Sequence, residues 1–293
     1  MNKKIEAKTP FILKAMRKSI KIVTRVSPSL AARFVNYLWF KTQRFPEPKR
    51  EQVILEKARW ETLDIDDKKI QIYIWGEADR PAVLLVHGWN GRAAQLGSFA
   101  LDLVEKGYRV VGFDSPAHGR SDGSSTNLPT ISRVIQEIDR QYGSFEAAIT
   151  HSFGGMCLMH AIGEGVELNK VSCISPAADV GGLVKLFASI LKIEPQVVDI
   201  QKRMLEQQFG EDIWEKFSIP NIVKTITTPG LIVHDQHDED VPVVSGKMIA
   251  RAWKNSEFIL TTNLGHRRIL RDKTVIEKVT SYIGNNQLLK EAS

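Results

Sequence analysis

Short apolar runs alternate with amphipathic helical patterns over most of the chain, from about residue 53 onward. The runs cover residues 82–87, 108–114, 145–150, 170–175, 229–234 and 257–262. Helical patterns separate them at about 93–106, 129–142, 153–164, 242–254 and 266–283. Two earlier segments, on either side of a turn at Asp66 and Asp67, predict an antiparallel strand pair. Since several runs are almost continuously apolar, as in strands buried on both faces, we predict an α/β fold: a mostly parallel sheet with helices on both faces.

One long segment breaks this alternation. The strand that ends near Ser175 and the strand that starts near Pro229 are separated by a stretch of helical character, with Leu183, Leu186 and Ile190 at helical spacing. A simple crossover between parallel strands would be much shorter. The sequence therefore predicts a helical cap, inserted at about residues 178–225 into a domain that spans residues 51–293.

The first fifty residues form a separate pattern, which we interpret as a basic helical arm. A helix is predicted over residues 10–26. Its apolar positions are Ile12, Met16, Ile20 and Val23, and its basic positions, on another face, are Lys14, Lys18, Lys21 and Arg25. Ser27 and Pro28 favour the start of a second helix that runs to Phe40. Residues 45–50, with two prolines, predict a linker, so the arm is expected to end at residue 50.

The net charge of +6 is concentrated in the arm. Residues 1–50 contain 13 Lys or Arg against Glu6 and Glu47, whereas residues 51–293 contain 27 against 32 acidic residues. The basic charge therefore says nothing about a nucleic-acid site in the main domain, and we expect no nucleic-acid partner. A basic amphipathic helix in residues 1–26 can lie on an anionic membrane. It can also pack its apolar face on the rest of the chain, which is the interpretation we favour.

The two cysteines, Cys157 and Cys173, lie in apolar surroundings and suggest no disulfide framework. Basic residues interrupt any apolar core of a signal peptide, and no uncharged stretch is long enough to span a bilayer. A cytoplasmic location is therefore expected, with peripheral membrane contact through the arm as the alternative. The oligomeric state stays open.

The segment THSFGG places Ser152 between an apolar strand and the start of a helix. Open α/β sheets place their sites at this carboxyl edge, and a sharp strand-to-helix turn would expose the serine hydroxyl but require small neighbours. Gly154 and Gly155 meet this requirement, whereas Thr150 stands where such turns usually have glycine. The backbone N–H of Phe153 would then face an oxyanion. The alternative is a serine that merely caps a helix packed by glycines.

A serine nucleophile needs oxyanion donors, a base and a group that orients the base. An earlier strand ends in His-Gly-Trp, and the N–H of Trp89 could be the second donor. His266 follows the last strand and is the candidate base. The loop after the preceding strand offers four acids, which are Asp235, Asp238, Glu239 and Asp240. We choose Asp238 as the orienting acid, with Asp240 second. In the loop at residues 113–123, Asp114 and His118 are expected to hold loops rather than react.

The acidic loop permits two other interpretations. It contains five residues of metal-ligating type, namely His234, Asp235, His237, Asp238 and Asp240. Consecutive residues of one loop rarely converge on one ion, and the sequence shows no second cluster of ligands, so we predict neither metal nor cofactor. A solvated loop without a catalytic role is the other interpretation, but it would leave Ser152 and His266 without a partner.

Taken together, these segments resemble the α/β-hydrolase superfamily over about residues 55–285. The resemblance rests on four motifs in order: HGW, DSPAHGRS, HSFGG, and HDQHDEDVP followed by GH. It implies that Ser152 is the nucleophile, His266 the base and Asp238 the orienting acid. It also implies that the amides of Trp89 and Phe153 form the oxyanion hole, and that the insertion is a cap over the acyl or leaving-group pocket.

The resemblance implies a serine hydrolase, similar to carboxylesterases and lipases, that cleaves a small ester or related acyl substrate through an acyl-enzyme. Thr150, Ala117 and Asp235 depart from the usual motifs, which leaves the subfamily open. Thioesterase, peptidase and acyltransferase activities would use the same triad. A non-catalytic binding protein of the same fold is the alternative from a different class. A serine nucleophile argues against haloalkane dehalogenase or epoxide hydrolase chemistry.

Overall fold

The computed structural model describes residues 11–284, and within them eight strands form one sheet in the order β1-β2-β4-β3-β5-β6-β7-β8. The strands are β1 Arg59–Ile65, β2 Lys68–Trp75, β3 Ala82–Val86, β4 Arg109–Phe113, β5 Ala147–His151, β6 Lys170–Ile174, β7 Gly230–Asp235 and β8 Ser256–Thr261. Strand β2 is antiparallel to β1 and β4, and all other neighbours are parallel. The predicted fold is confirmed. Arm residues 1–10 lie outside the described residues.

The helices occupy the segments between and before the strands. They are α1 Phe11–Val26, α2 Pro28–Phe40, α3 Lys49–Leu55, α4 Gly97–Glu105, α5 Leu128–Tyr142, α6 Phe153–Gly163, α7 Val180–Leu191, α8 Pro195–Phe209, α9 Ile213–Lys216, α10 Ile219–Ile222, α11 Val244–Ala252, α12 Gly265–Arg268 and α13 Lys273–Gly284. Short 3₁₀ turns precede α4 and α13. Across residues 11–284, no helix combines the length and apolar character needed to cross a bilayer.

Two helix boundaries differ from the sequence predictions. The linker predicted at residues 45–50 is cut short because α3 begins at Lys49, and Glu51 in its first turn accepts a hydrogen bond from Arg92 Nε at 2.6 Å. The helix predicted at 266–283 is interrupted because Asp272 caps a new helix, accepting the backbone N–H of Val275 at 3.0 Å. His266 therefore lies on a separate single turn, α12.

Contacts divide the chain into two compact units. The first unit consists of the arm up to Lys41 together with Val180–Glu215, and the second unit consists of Thr42–Asp179 with the chain from Lys216 onward. The core of the first unit is built by α1, α2, α7 and α8, and its buried residues are Ile20, Ala31, Ala32, Val35, Leu191, Ile193 and Val197. The apolar face of α1 therefore packs on helices of the insertion.

The second unit contains the whole sheet. Burial of β3, β5, β6 and β7 is complete on both faces, which explains why their sequences are apolar throughout. Since β3 and β5 to β8 run parallel, their carboxyl ends meet at one edge. The loops that follow Val86, His151, Asp235 and Thr261 therefore emerge at the same edge, which is where the candidate site lies.

Candidate active site

Ser152 occupies a strained turn between β5 and α6. Its backbone has φ 54° and ψ −122°, and its side chain makes no capping hydrogen bond to α6. A non-glycine residue at such angles costs about 1–3 kcal/mol and is found mainly at functional sites. The interpretation of Ser152 as an ordinary helix cap is therefore wrong, and the geometry is that of a nucleophile elbow.

The elbow is in close contact with the turn that follows β3. A methyl group on Gly154 would lie 2.5 Å from the carbonyl oxygens of Val86 and His87, and one on Gly88 would lie 2.9 Å from Cβ of Ser152. Only glycine fits at both positions. The same contact brings the ring of Trp89 to 5.3 Å from the ring of Phe153, measured between centroids. The two residues predicted to supply oxyanion donors are thus adjacent.

Thr150, the residue that departs from the usual elbow motif, is accommodated by a small neighbour. Its side chain is fully buried, and its hydroxyl donates to the carbonyl oxygen of Ser172 at 3.4 Å. A methyl group on Gly155 would lie 3.2 Å from Oγ1 of Thr150. The absence of a side chain at Gly155 therefore provides the space that the threonine occupies.

His266 is held by a buried carboxylate. Nδ1 of His266 donates to Oδ2 of Asp238 at 2.7 Å, and the other carboxylate oxygen accepts the backbone N–H groups of Asp240 and Val241 at 3.0 and 2.8 Å. Burial acts to raise the pKa of Asp238, but the hydrogen bond from His266, the electrostatic interaction with its ring and the backbone N–H of Val241 outweigh burial and hold this pKa below the ordinary value. Asp238 is therefore ionised at neutral pH and fixes Nδ1 of His266 as the protonated nitrogen.

The residue before the elbow, His151, contacts His266. Nε2 of His151 donates to the carbonyl oxygen of His266 at 3.0 Å, and the two imidazole rings lie 4.5 Å apart between centroids. Burial, the nearby His266 ring and other neighbours lower the pKa of His151 to about 3, so its ring is neutral. His151 directly precedes Ser152, and the predicted triad residues therefore share one edge of the sheet.

The remaining residues of the acidic loop have other partners. Asp240, our second choice of acid, is exposed, and its carboxylate lies 3.7 Å from Arg267. The imidazole of His234 donates to the carbonyl oxygen of Val241 at 2.9 Å. Among the described residues, Asp238 is therefore the acid of this loop that accepts a hydrogen bond from His266.

Asp235 has a role that the sequence analysis did not predict. Its carboxylate accepts the Thr261 hydroxyl at 2.8 Å and the backbone N–H groups of Leu264 and His237 at 3.0 and 2.9 Å. It thereby joins the ends of β7 and β8 and fixes the loop that carries His266. Burial opposes ionisation, but these hydrogen bonds hold the pKa of Asp235 below the ordinary value. The only indication in the sequence was that Asp235 stands where the family motif has glycine.

Residues 83–278 match the model of the alpha/beta hydrolase family. The chain belongs to this family. No curated protein sequence matches the chain.

Solved structures show the same fold as this chain at low sequence identity. A candidate lipase from Acinetobacter baumannii AYE is 18% identical, with a TM-score of 0.63, and the match covers 83% of this chain and 99% of that one. An esterase from Rhodococcus sp. ECU1013 is 16% identical, with a TM-score of 0.59 and coverage of 78% and 99%. The thioesterase domain from the curacin biosynthetic pathway is also 16% identical, with a TM-score of 0.59 and coverage of 77% and 99%.

A buried histidine shapes the turn that carries Trp89. Nδ1 of His87 donates to the carbonyl oxygen of Gly88 at 2.7 Å, and Nε2 accepts the backbone N–H of Ser115 at 2.9 Å. Asp114 holds the neighbouring loops, as expected, because its carboxylate accepts the N–H groups of Ala93 and Arg120 and the hydroxyl of Tyr73. His118 is also a loop residue, since Nδ1 donates to the carbonyl oxygen of Pro116 at 3.0 Å.

We expect the protein to lose stability in mild acid through His87. Complete burial, the main cause, lowers the pKa of His87 to about 4, whereas in the unfolded chain the imidazole takes up a proton near pH 6.5. The free energy of unfolding should therefore fall as the pH drops from about 6.5 to about 4. Between pH 7.5 and 5, His87 should account for about 2 kcal/mol of the loss in the free energy of unfolding. Urea unfolding of the wild type and of His87→Asn at both pH values measures it. An equal loss in the two proteins would contradict this assignment.

Proposed function

We propose that the protein is a serine hydrolase that cleaves a carboxylic ester or a related acyl bond with the triad Ser152, His266 and Asp238. The observation that carries this proposal is the hydrogen bond from Nδ1 of His266 to Asp238, together with the contact between His266 and His151, the residue before the strained Ser152. The lipase-like, esterase and thioesterase functions of proteins with the same fold are consistent with it. All of these acyl-cleaving reactions are compatible with a serine triad.

In the acylation half of the reaction, the hydroxyl of Ser152 attacks the carbonyl carbon of the substrate. Because Nδ1 of His266 carries the proton that is donated to Asp238, Nε2 is the nitrogen that can accept the proton of Ser152. The negative charge that develops on the carbonyl oxygen is stabilised by the backbone N–H groups of Trp89 and Phe153. His266 then protonates the departing alcohol, and the acyl group stays bound to Ser152.

In the second half, His266 removes a proton from water, and the resulting hydroxide attacks the acyl carbon. The bond to Oγ of Ser152 then breaks, His266 returns the proton to this oxygen, and the acid is released. Asp238 remains ionised throughout and stabilises the imidazolium form of His266 in both halves. This chemistry uses only side-chain and backbone groups of the protein and needs no cofactor. Cys157 and Cys173 are both free and buried, which supports our proposal of a reducing, cytoplasmic location.

A series of p-nitrophenyl esters of graded chain length tests the proposed reaction. A hydrolase that forms an acyl-enzyme should release p-nitrophenol in an initial burst of about one equivalent per active site wherever deacylation is slower than acylation. Turnover confined to thioesters in a parallel series would identify a thioesterase. If neither series is hydrolysed and neither leaves an acyl group bound to the protein, the non-catalytic binding protein is favoured.

A further inference from the structure

Helix α1 has a second apolar face, which points away from the core of the first unit. Phe11, Ile22 and Val26 are 84%, 52% and 78% exposed, and with Ala15 they follow the i, i+4, i+11, i+15 spacing of one helical stripe. Ile12, beside this stripe, is 69% exposed. We call these five residues the outer stripe. A single helix that exposes this much apolar side chain in one line marks an interaction surface.

Basic residues border the outer stripe along its whole length. Lys14 follows Phe11 by three positions, and Lys18 precedes Ile22 by four, so both lie next to the stripe on the helix surface. Lys21 and Arg25 continue the same basic row. Between residues 11 and 41 the chain has seven basic residues and no acidic residue. The charged residues of helices α1 and α2 are therefore all positive.

The orientation of α1 is fixed by contacts inside the first unit. Ile20, on the opposite side of the helix, is buried in the core of that unit, and Met16 and Val23 pack partly against it. Nε of Arg17 also donates to the carbonyl oxygen of Ile190 in α7 at 2.8 Å. The face that the sequence predicted as apolar was Ile12, Met16, Ile20 and Val23. Three of these residues pack on this core and are not available to a membrane, whereas Ile12 is exposed, contrary to the prediction that it packs inward. The outer stripe cannot turn inward without breaking these contacts.

We propose that the outer stripe of α1 docks on the surface of an anionic lipid bilayer. Its apolar side chains would enter the boundary between headgroups and acyl chains, while the bordering lysines and arginine meet the lipid phosphates. A second copy of this chain is a poorer partner, because an isologous contact through this helix would oppose one basic helix with another and offer no acidic residue of residues 11–41 to pair with it. The proposal is independent of the chemistry proposed for Ser152.

Sedimentation with lipid vesicles tests the docking. The full-length protein should sediment with vesicles of equal parts phosphatidylglycerol and phosphatidylcholine at low salt, and remain in solution with phosphatidylcholine alone. Binding should weaken as salt is added, because the attraction between cations and lipid is screened. Equal binding to neutral vesicles, or absence of binding to anionic ones at low salt, would overturn the proposal.

Two double variants separate the apolar and the basic contributions. Ile22→Ser with Val26→Ser removes apolar side chains from the stripe, and Lys14→Glu with Lys18→Glu reverses two bordering charges. Each is expected to lower the vesicle partition coefficient by about tenfold or more. If only the charge variant loses binding, the protein adsorbs by charge alone and insertion of the outer stripe is wrong.

Matched variants in the second unit serve as controls. Val53→Ser with Met248→Ser removes two exposed apolar side chains, and Lys247→Glu with Lys254→Glu reverses two exposed charges outside the arm. Both should bind vesicles as the wild type does. All four variants alter exposed residues, so circular dichroism should show an unchanged fold. Sedimentation equilibrium without lipid tests the competing partner, and a dimer that the outer-stripe variants dissociate would overturn the proposal.

Discussion

Replacement of Ser152 by alanine is expected to reduce ester turnover by about 10⁶-fold, the loss typical of removing a serine nucleophile. The oxyanion donors and the pair of His266 and Asp238 stay in place in this variant, so any residual activity should show no burst of product. The fold should be preserved, because the Ser152 side chain makes no hydrogen bond to the helix that it precedes. The measurement is the steady-state and burst kinetics of p-nitrophenyl ester hydrolysis.

Ser115→Ala is the matched control for this variant. Ser115 is also buried, follows β4 at the edge of the sheet, and has a hydroxyl without a hydrogen-bond partner among the described residues. Its contact with His87 uses the backbone N–H, which alanine retains. The control should keep its burst and its turnover. If Ser115→Ala lost activity as fully as Ser152→Ala, the loss would reflect the packing of this edge rather than a nucleophile.

The second large effect is expected at Asp238. Asp238→Asn keeps the size of the side chain but removes the charge that supports the imidazolium, and the amide can favour the wrong tautomer of His266. Turnover should fall by about 10⁴-fold with little change in KM. The free energy of unfolding should also fall, because a buried acceptor of two backbone N–H groups and one imidazole is altered.

Asp240→Asn provides the comparison for Asp238, because it makes the same chemical change two residues away. Asp240 is exposed, and its ion pair with Arg267 is long, at 3.7 Å, so its loss should change turnover less than about twofold. Kinetics of the two variants on one ester would rank the acids. A larger loss in Asp240→Asn would transfer the orienting role to Asp240 and contradict the proposed triad.

Much of the fold follows from local patterns in the sequence. The buried parallel strands are apolar on both faces, which makes β3, β5, β6 and β7 visible without any knowledge of their neighbours. Helix boundaries were less predictable where a single side chain sets them. The carboxylate of Asp272 starts α13 and separates it from His266, yet the apolar periodicity continues across this break.

The sequence does not show on which part of the chain the arm packs. Helix α1 has apolar residues on two faces, and the choice of the buried face depends on α7 and α8, which lie more than a hundred residues away in the chain. Ile20 is buried and Val26 is exposed because of these distant contacts. Two apolar positions of the predicted cap, Phe187 and Met204, pack against this same core.

The candidate site also contains some residues that the sequence identifies and others whose roles only the structure shows. Ser152 and His266 are marked by their position after strands and by neighbouring glycines, so motif order was enough to single them out. The supporting roles of Asp235 and His87 depend on hydrogen bonds to Leu264 and Ser115, each almost thirty residues away. Such contacts have no local periodicity, and only the folded chain reveals them.

Location of a covalent fluorophosphonate adduct tests the proposed nucleophile most directly. The wild-type protein would be labelled to completion, and its intact mass measured by mass spectrometry. It would then be digested, and the modified peptide sequenced by tandem mass spectrometry. We expect one adduct per chain, on Oγ of Ser152 in the peptide that spans the end of β5 and the start of α6. An adduct on another residue, or no adduct while esters are hydrolysed, would contradict the assignment of Ser152 as the nucleophile.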